Sequence, residues 1–444
     1  MIRFLNENKA LLILLTVWFV VGRLSTPAFF AIAGLSIILL WRKLMFFELL
    51  IGFLFVLILS DTINYTTDFA KVFKNVYILA LTAIAVIERK RFPKLNRLYL
   101  YFLPFIAISL IGLVASPIPI LSAQKTLSYI LLIFVVPQFL VKSYEDKGPD
   151  TFRDLLMFAG FMILAGFALE LVEPGYTYQR GGRYRGVFGN PNGLGIFTSL
   201  VIALVYIVRD FFPKLFSKND LRWIVIPAII SLILAGSRTS IIAVLIFFLF
   251  TRIYRISPLL GFLAFMGTAL LAEFVAANIV SIIQAFGLSE FFRVETLEEG
   301  SGRQIAWNLA WNVIQDNLWF GRGFAFDEWL MAKNQDYLNE LGHQGGVHNT
   351  YLQIWLNTGI FGLILFLRAI FLNIIKGASH SRLAFPFLWL IMFSILPESW
   401  LAASLNPFSI LFFIGLTLLS DPYFYRVEEK KSEIESESER LPVT

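Results

Sequence analysis

The chain has 444 residues, 57% hydrophobic and 16% aromatic, with only 15% charged, a net charge of +6 and a mean hydropathy of +0.72. A soluble globular chain carries nearer a quarter charged residues and less than half apolar ones, so a soluble enzyme is excluded. Cysteine is absent, which excludes disulfides, thiolate catalysis and thiolate-bound metal.

Apolar runs near twenty residues recur from end to end, the signature of helical membrane spans and not of the alternating ten-residue segments of a β-barrel. The opening MIRFLNENKALLILLTVWFVV resembles a signal peptide, but with so many spans behind it we read it as an uncleaved first helix. The twenty-residue template predicts about twelve to fourteen spans, because the first two and the last two are short enough to be broken hairpins. They fall near 10–22, 26–41, 44–60, 70–88, 97–115, 122–141, 152–172, 191–209, 222–236, 238–251, 257–285, 348–374, 384–396 and 401–420. The expected fold is therefore an all-α polytopic integral membrane protein. One transmembrane domain covers 1–425 and includes a single soluble-looking insertion, 288–346. The remaining 426–444 is a charged, low-complexity tail expected to be disordered.

Alternate loops carry the basic residues: WRK at 41–43, ERKRFPK at 88–94, the stretch 209–222 and TRIYR at 251–255. The positive-inside rule makes these cytoplasmic and puts both termini inside. SDTINYTTD and SPIP, which carry no basic residue, fall outside. Three segments on the outer side disobey. One holds Arg180, Arg183 and Arg185; a second holds Arg238; the insertion holds Arg293, Arg303, Arg322 and Lys333. Any one of these arginines could simply pair with Glu173, Glu295, Glu298, Glu299 or a lipid headgroup. Three such groups on one side point instead to an anionic substrate at the outer surface, because the guanidinium fork suits phosphate.

In GGRYRGVFGNPNGLG, glycines surround Arg183 and Arg185 and let backbone approach a ligand closely. Asn190 followed by Pro191 reads as an N-cap and first helical residue, so the loop delivers its ligand to a helix N-terminus, which favours anions. Arg183, Arg185, Asn190 and Asn192 are the candidate binding residues here. In SGRQIAWNLAWNVI, Ser301 and Gln304 fit a capping box, and Trp307, Ala310, Trp311 and Ile314 form one helical face. Arg303 then sits in a first turn, where the helix dipole disfavours a cation by a few tenths to about 1 kcal/mol. In VHNTYLQIWLNTG, His348, Tyr351, Leu352 and Trp355 share a face, with Asn349 beside them. A histidine titrates near 6.5 when unperturbed and can take a proton from a hydroxyl. His343 and His380, in a Gly-rich loop and a cytoplasmic loop, carry no such pattern. Asp327 and Glu328 are candidate second bases, although solvent-facing loop acids are the commoner outcome. Glu298 and Glu299 make a weak metal motif without a supporting histidine.

The motifs RGVFGNPN, GSRTS, SGR before an aromatic helix, FGRGF and HNTYLQIWLNTGIFG occur in that order between about 180 and 365. In this the chain resembles the O-antigen ligase and polymerase superfamily of bacterial membrane proteins. The resemblance implies a GT-C-like glycosyltransferase of the inner membrane with its active site facing the periplasm. Its donor is a glycan on undecaprenyl diphosphate. Its acceptor is a sugar of the lipid A core for a ligase, or a second lipid-linked repeat for a polymerase. It implies two catalytic arginines and one catalytic histidine, which fall on Arg238, Arg303 and His348; Asn349 and Tyr351, read from the histidine motif itself, are further substrate-binding candidates. No metal or other cofactor is implied, transfer inverts the anomeric carbon, and nucleic acid is not an expected partner. Two other classes compete. A transporter would show repeats and polar residues deep in broken helices, whereas the polar residues here gather at one face and no repeat is visible. A non-enzymatic anchor would tolerate loss of His348.

Overall fold

The computed structural model describes residues 1–62, 65–94, 97–179, 182–257, 259–261, 263–264, 267, 284–285, 303–341, 345–403 and 405–425. The expected span at 257–285 lies almost wholly outside these residues. So do Arg180, Arg293, Glu295, Glu298, Glu299, Ser301, His343 and the tail. Every other expected span is a helix: α1 (Lys9–Leu24), α2 (Thr26–Arg42), α3 (Phe46–Ser60), α4 (Asp68–Ile87), α5 (Arg97–Ile111), α6 (Pro119–Lys147), α7 (Asp150–Val172), α8 (Pro191–Phe211), α9 (Lys218–Ala235) and α10 (Arg238–Ile256), then α14 (Thr350–Ala378), α15 (Ala384–Ser394) and α16 (Pro407–Ser420). The insertion adds α11 (Arg303–Asp316), α12 (Phe326–Lys333) and α13 (Gln335–Glu340). Among the described residues seven helices are long and apolar enough to cross a membrane, and several others are apolar but shorter. The all-α expectation holds with one local departure. Part of the arginine-rich loop before α8 is a two-residue antiparallel ladder, β1 (Tyr178–Gln179) with β2 (Arg183–Tyr184).

Polar punctuation sets the helix starts. Asn190 accepts from Gly193 N at 2.8 Å with Pro191 following, and Asn349 accepts from Leu352 N at 3.0 Å. Asn406, followed by Pro407, accepts from both Phe408 N and Ser409 N. Each side-chain oxygen satisfies amides that a helix leaves unbonded. α3 is buried along its length except at Glu48, and α16 is buried throughout, so these two run through the middle of the bundle. α4, α6, α8 and α14 pack around them.

The two ends of the bundle differ. At one, Arg153 pairs with Glu7, Asp150 and Asp154, and Lys147 also pairs with Asp154. The other end gathers the C-terminus of α3, the β1–β2 ladder, the N-termini of α8 and α14, and the connection 395–406. Gly189 N donates to Asp61 there, and Thr350 Oγ1 donates to Glu398 O.

The insertion builds a small core of its own, with Ala306, Ala310 and Ile314 of α11 against Phe326 and Leu330 of α12 and Leu356 of α14. The expected face of α11 is thus rotated. Its buried stripe starts at Ala306, while Trp307 and Trp311 sit at the edges. Trp307 Nε1 donates to Val347 O at 2.8 Å, and Trp311 meets Trp355 edge-on. Small alanines let the helix lie directly on α14.

α14 is kinked at Gly359, where φ is 73°. The kink frees backbone groups, and the turn containing FGRGF takes them up. Arg322 N donates to Leu356 O, Gly323 N to Asn357 O at 2.7 Å, and Ile360 N to Leu318 O at 2.9 Å. This backbone-to-backbone contact locks the insertion to the helix that carries the histidine motif.

Candidate active site

Glu398 is the residue on which the distant motifs converge. It belongs to the 395–406 connection, which is pinned to the first residue of α14: Thr350 N donates to Ile395 O at 3.0 Å and Thr350 Oγ1 to Glu398 O at 2.8 Å. Its buried carboxylate therefore sits beside the start of α14. Oε1 accepts from Asn192 Nδ2 at 2.9 Å and from Arg303 Nη2 at 3.1 Å. Oε2 faces His348 Nδ1 at 3.9 Å. That separation is too long for a hydrogen bond, and catalytic contacts in empty sites commonly close only around a ligand.

The polar chain continues from Asn192. Arg183 Nη2 donates to Asn192 Oδ1 at 2.7 Å, and Arg183 Nε donates to Ala235 O, the last residue of α9, at 2.9 Å. Gly236 closes α9 in the left-handed conformation, with φ of 54°, and Arg238 opens α10 directly after it. Asn192 and Arg303 are thus joined through one carboxylate, with Arg183 linked to it by way of Asn192 and His348 facing it, and Arg238 starts the helix that follows the carbonyl held by Arg183.

Arg303 is the first described residue of α11, and at a helix start the dipole opposes a cation. Its pairing with Glu398, with both side chains largely shielded from solvent, offsets that cost. His348 adopts a left-handed backbone, with φ of 49°, just before the Asn349 cap. Such a conformation costs a non-glycine residue on the order of 1–2 kcal/mol, and strain of this kind concentrates at functional sites. With Nδ1 turned to Glu398, Nε2 looks at Gly345. A β-carbon on Gly345 would stand 2.8 Å from Nε2. Gly345 and Gly346 line a cavity of about 560 Å³ together with Glu328, Gln335 and Asn339. The polar amides and the carboxylate of this lining suit a hydroxylated ligand.

The other candidate residues serve the scaffold. Arg185 donates to Tyr176 O at 2.7 Å and to Gly189 O at 3.2 Å, and it lies over the Tyr176 ring, so it ties the loop before α8 together. Asn190 and Asn349 are caps. Tyr351 donates to Met392 O at 2.9 Å and fastens α14 to α15. Glu173 pairs with Arg23, not with an arginine of the ligand loop. Asp327 is a correction: it is a buried acid, not a solvent-facing one, and accepts from Asn357 Nδ2 at 2.8 Å and from Gln353 Nε2. Glu328 does face outward and pairs with Lys125. His380 stacks on Tyr425, away from the site. The residue that sequence reasoning missed is Glu398. Its signal was present as the lone acid in the apolar stretch between α15 and α16, a setting in which ionisable residues are functional by default.

An all-α membrane bundle with a polar site at one end, assembled from helix termini and an inserted helical cap, defines the class. Residues 223–367 match the family model described as O-antigen ligase, and over this part the chain is similar to that family. The match runs from α9 into α14 and contains Arg238, Arg303 and His348, whereas Arg183, Asn192 and Glu398 lie outside it. No curated protein matches the chain.

Proposed function

We propose that the protein transfers a glycan from undecaprenyl diphosphate to a sugar hydroxyl of the lipid A core, at the periplasmic face of the inner membrane. The observation that carries this reading is the approach of Arg303 and His348 to the Glu398 carboxylate, in a chain whose residues 223–367 match the O-antigen ligase family model. His348 Nε2 takes the proton of the acceptor hydroxyl, with Glu398 orienting the ring and supporting the imidazolium that forms. The acceptor oxygen bonds to the anomeric carbon as the bond to the diphosphate oxygen breaks, and direct attack inverts that carbon. Charge grows on the leaving diphosphate, where Arg303 and Arg238 hold it in a preorganised site. No metal or cofactor enters this scheme. The acidic cluster around Arg153 and the basic loops lie at the opposite end, so the positive-inside bias supports an outward-facing site. The polymerase reaction uses the same groups with a second lipid-linked repeat as acceptor.

The test is purified protein with an undecaprenyl-diphosphate-linked glycan and each acceptor in turn. His348→Ala should lose about a hundred- to ten-thousand-fold in turnover. His380→Ala should match wild type. Wild-type turnover by His348→Ala would leave the mechanism without a base.

A further inference from the structure

A second cavity, of about 540 Å³, lies at the same end of the bundle and takes no part in the chemistry above. It is formed by the end of α3, the first turns of α4 and α6, and the stretch 403–406. Among the described residues three lysines line it, Lys71, Lys74 and Lys125, against one carboxylate, Asp61. Most of the other lining side chains are neutral and polar, among them Asn75, Gln124 and Ser128, with Ala403 and Leu405 the apolar exceptions. The counter-charge is uneven. Lys71 pairs with Asp68 and Lys125 with Glu328, both at partly exposed positions where ion pairs are weak and exchangeable. Lys74 donates to Leu405 O at 3.0 Å and makes no ion pair among the described residues. An ammonium carries three donors, so one carbonyl leaves it short of partners.

The cavity shares a supporting segment with the site. Lys74 holds Leu405 and Tyr129 holds Leu401, both in the connection that carries Glu398. Asp61, on the cavity wall, accepts from Gly189 N just before the helix that supplies Asn192. We infer that this cavity is a binding subsite for an acidic saccharide, a sugar bearing a carboxylate or a phosphate, within the glycan being joined. The lysines meet the anion, and the amides and hydroxyl meet the sugar hydroxyls. Its volume is on the scale of small-ligand pockets. That the anion is part of a saccharide rests on the transferase reading. That the cavity draws an anion does not.

The experiment uses the absence of cysteine from the chain. Gln124→Cys places one thiol in the cavity of the full-length protein, in phosphatidylcholine nanodiscs. An anionic methanethiosulfonate should label it about tenfold faster than a cationic one, after correction for reagent reactivity. Lys74→Gln combined with Lys71→Gln should erase that preference. Glucuronate or glucose 6-phosphate should slow labelling several-fold at concentrations where glucose does not. Arg303→Ala should leave this protection within about twofold, since the catalytic cluster is separate. No anionic preference, or equal effects of glucuronate and glucose, would overturn the subsite. Loss of protection in phosphatidylglycerol nanodiscs, with retention in phosphatidylcholine, would assign the cavity to a lipid headgroup and overturn the saccharide. Labelling needs no turnover, so a failed transferase assay and a failed subsite are told apart.

Discussion

Nδ1 of His348 faces Oε2 of Glu398 at 3.9 Å, which leaves Nε2 pointing away from the carboxylate toward Gly345 and the cavity beside it. An imidazole with an acid facing one ring nitrogen is the arrangement that, once closed around a ligand, activates a hydroxyl. Glu398→Gln keeps the shape but removes the charge, and should lower turnover about ten- to a thousandfold. The double variant His348→Ala with Glu398→Gln should be no slower than His348→Ala alone, because groups acting as a unit are not additive. Multiplying losses in a single-turnover assay would show that Glu398 acts independently of the histidine.

The arginines separate into two kinds. Arg303→Ala and Arg238→Ala should each cost about 2–4 kcal/mol in kcat/KM, a roughly thirty- to thousandfold loss, with the protein still inserted. Lysine at either position should restore only part, because it lacks the fork. Arg185 is bonded to Tyr176 O and Gly189 O, so Arg185→Ala should lower thermal stability while retaining most turnover once folded. The reverse pattern, with Arg185→Ala folded and inactive and Arg303→Ala active, would move the diphosphate to the loop before α8.

Much of this was readable in the sequence, and the unread part has a physical cause. Spans and caps are local: long apolar runs announce the helices, and Asn190 before Pro191 announces a start. The site is not local. Glu398 meets Asn192 and Arg303 from 206 and 95 residues away, so no window of sequence contains the cluster. The face of α11 was misjudged because alanines, not tryptophans, allow close approach to α14. The fate of Asp327 depended on Gln353 and Asn357, one helical turn apart on a face that only the docked insertion reveals.

The kink in α14 offers a test of how the insertion is held. A β-carbon on Gly359 would lie 2.1 Å from Trp319 O, and one on Gly321 would lie 2.5 Å from Gly359 N. Both glycines also have positive φ, at 73° and 63°. Neither clash involves a side chain that could swing away. Gly359→Ala should therefore destabilise by about 3 kcal/mol or more and separate the insertion from α14. The readout is thermal unfolding in detergent together with protease sensitivity near residue 320. A variant as stable and as protected as wild type would mean the turn does not dock there.

Asp327 yields the last prediction, through pH. It lies in the insertion, outside the spans. Burial pushes its carboxyl up to about 6, while the bond from Asn357 pulls the other way and loses. A carboxyl whose pKa is raised by folding stabilises the protein fully only below its unfolded value near 3.9. That contribution is lost as pH rises through about 6. At neutral pH the charged form is therefore held at a cost on the order of 2–3 kcal/mol. Asp327→Asn removes the cost without breaking the network. Asn357 Nδ2 can still donate to the new amide oxygen. Gln353 Oε1, buried and without a partner among the described residues, can accept from the new amide nitrogen once the Gln353 amide turns over. The variant should match or exceed wild-type stability at pH 7–8 and lose roughly half of that advantage as pH falls to 5. It should also retain transfer activity, since a residue enclosed by Gln353 and Asn357 cannot reach a substrate hydroxyl. Thermal unfolding from pH 5 to 8 decides it. Equal pH slopes for the two proteins would mean that Asp327 does not titrate in this range, and loss of turnover in a folded Asp327→Asn protein would return it to the candidate bases.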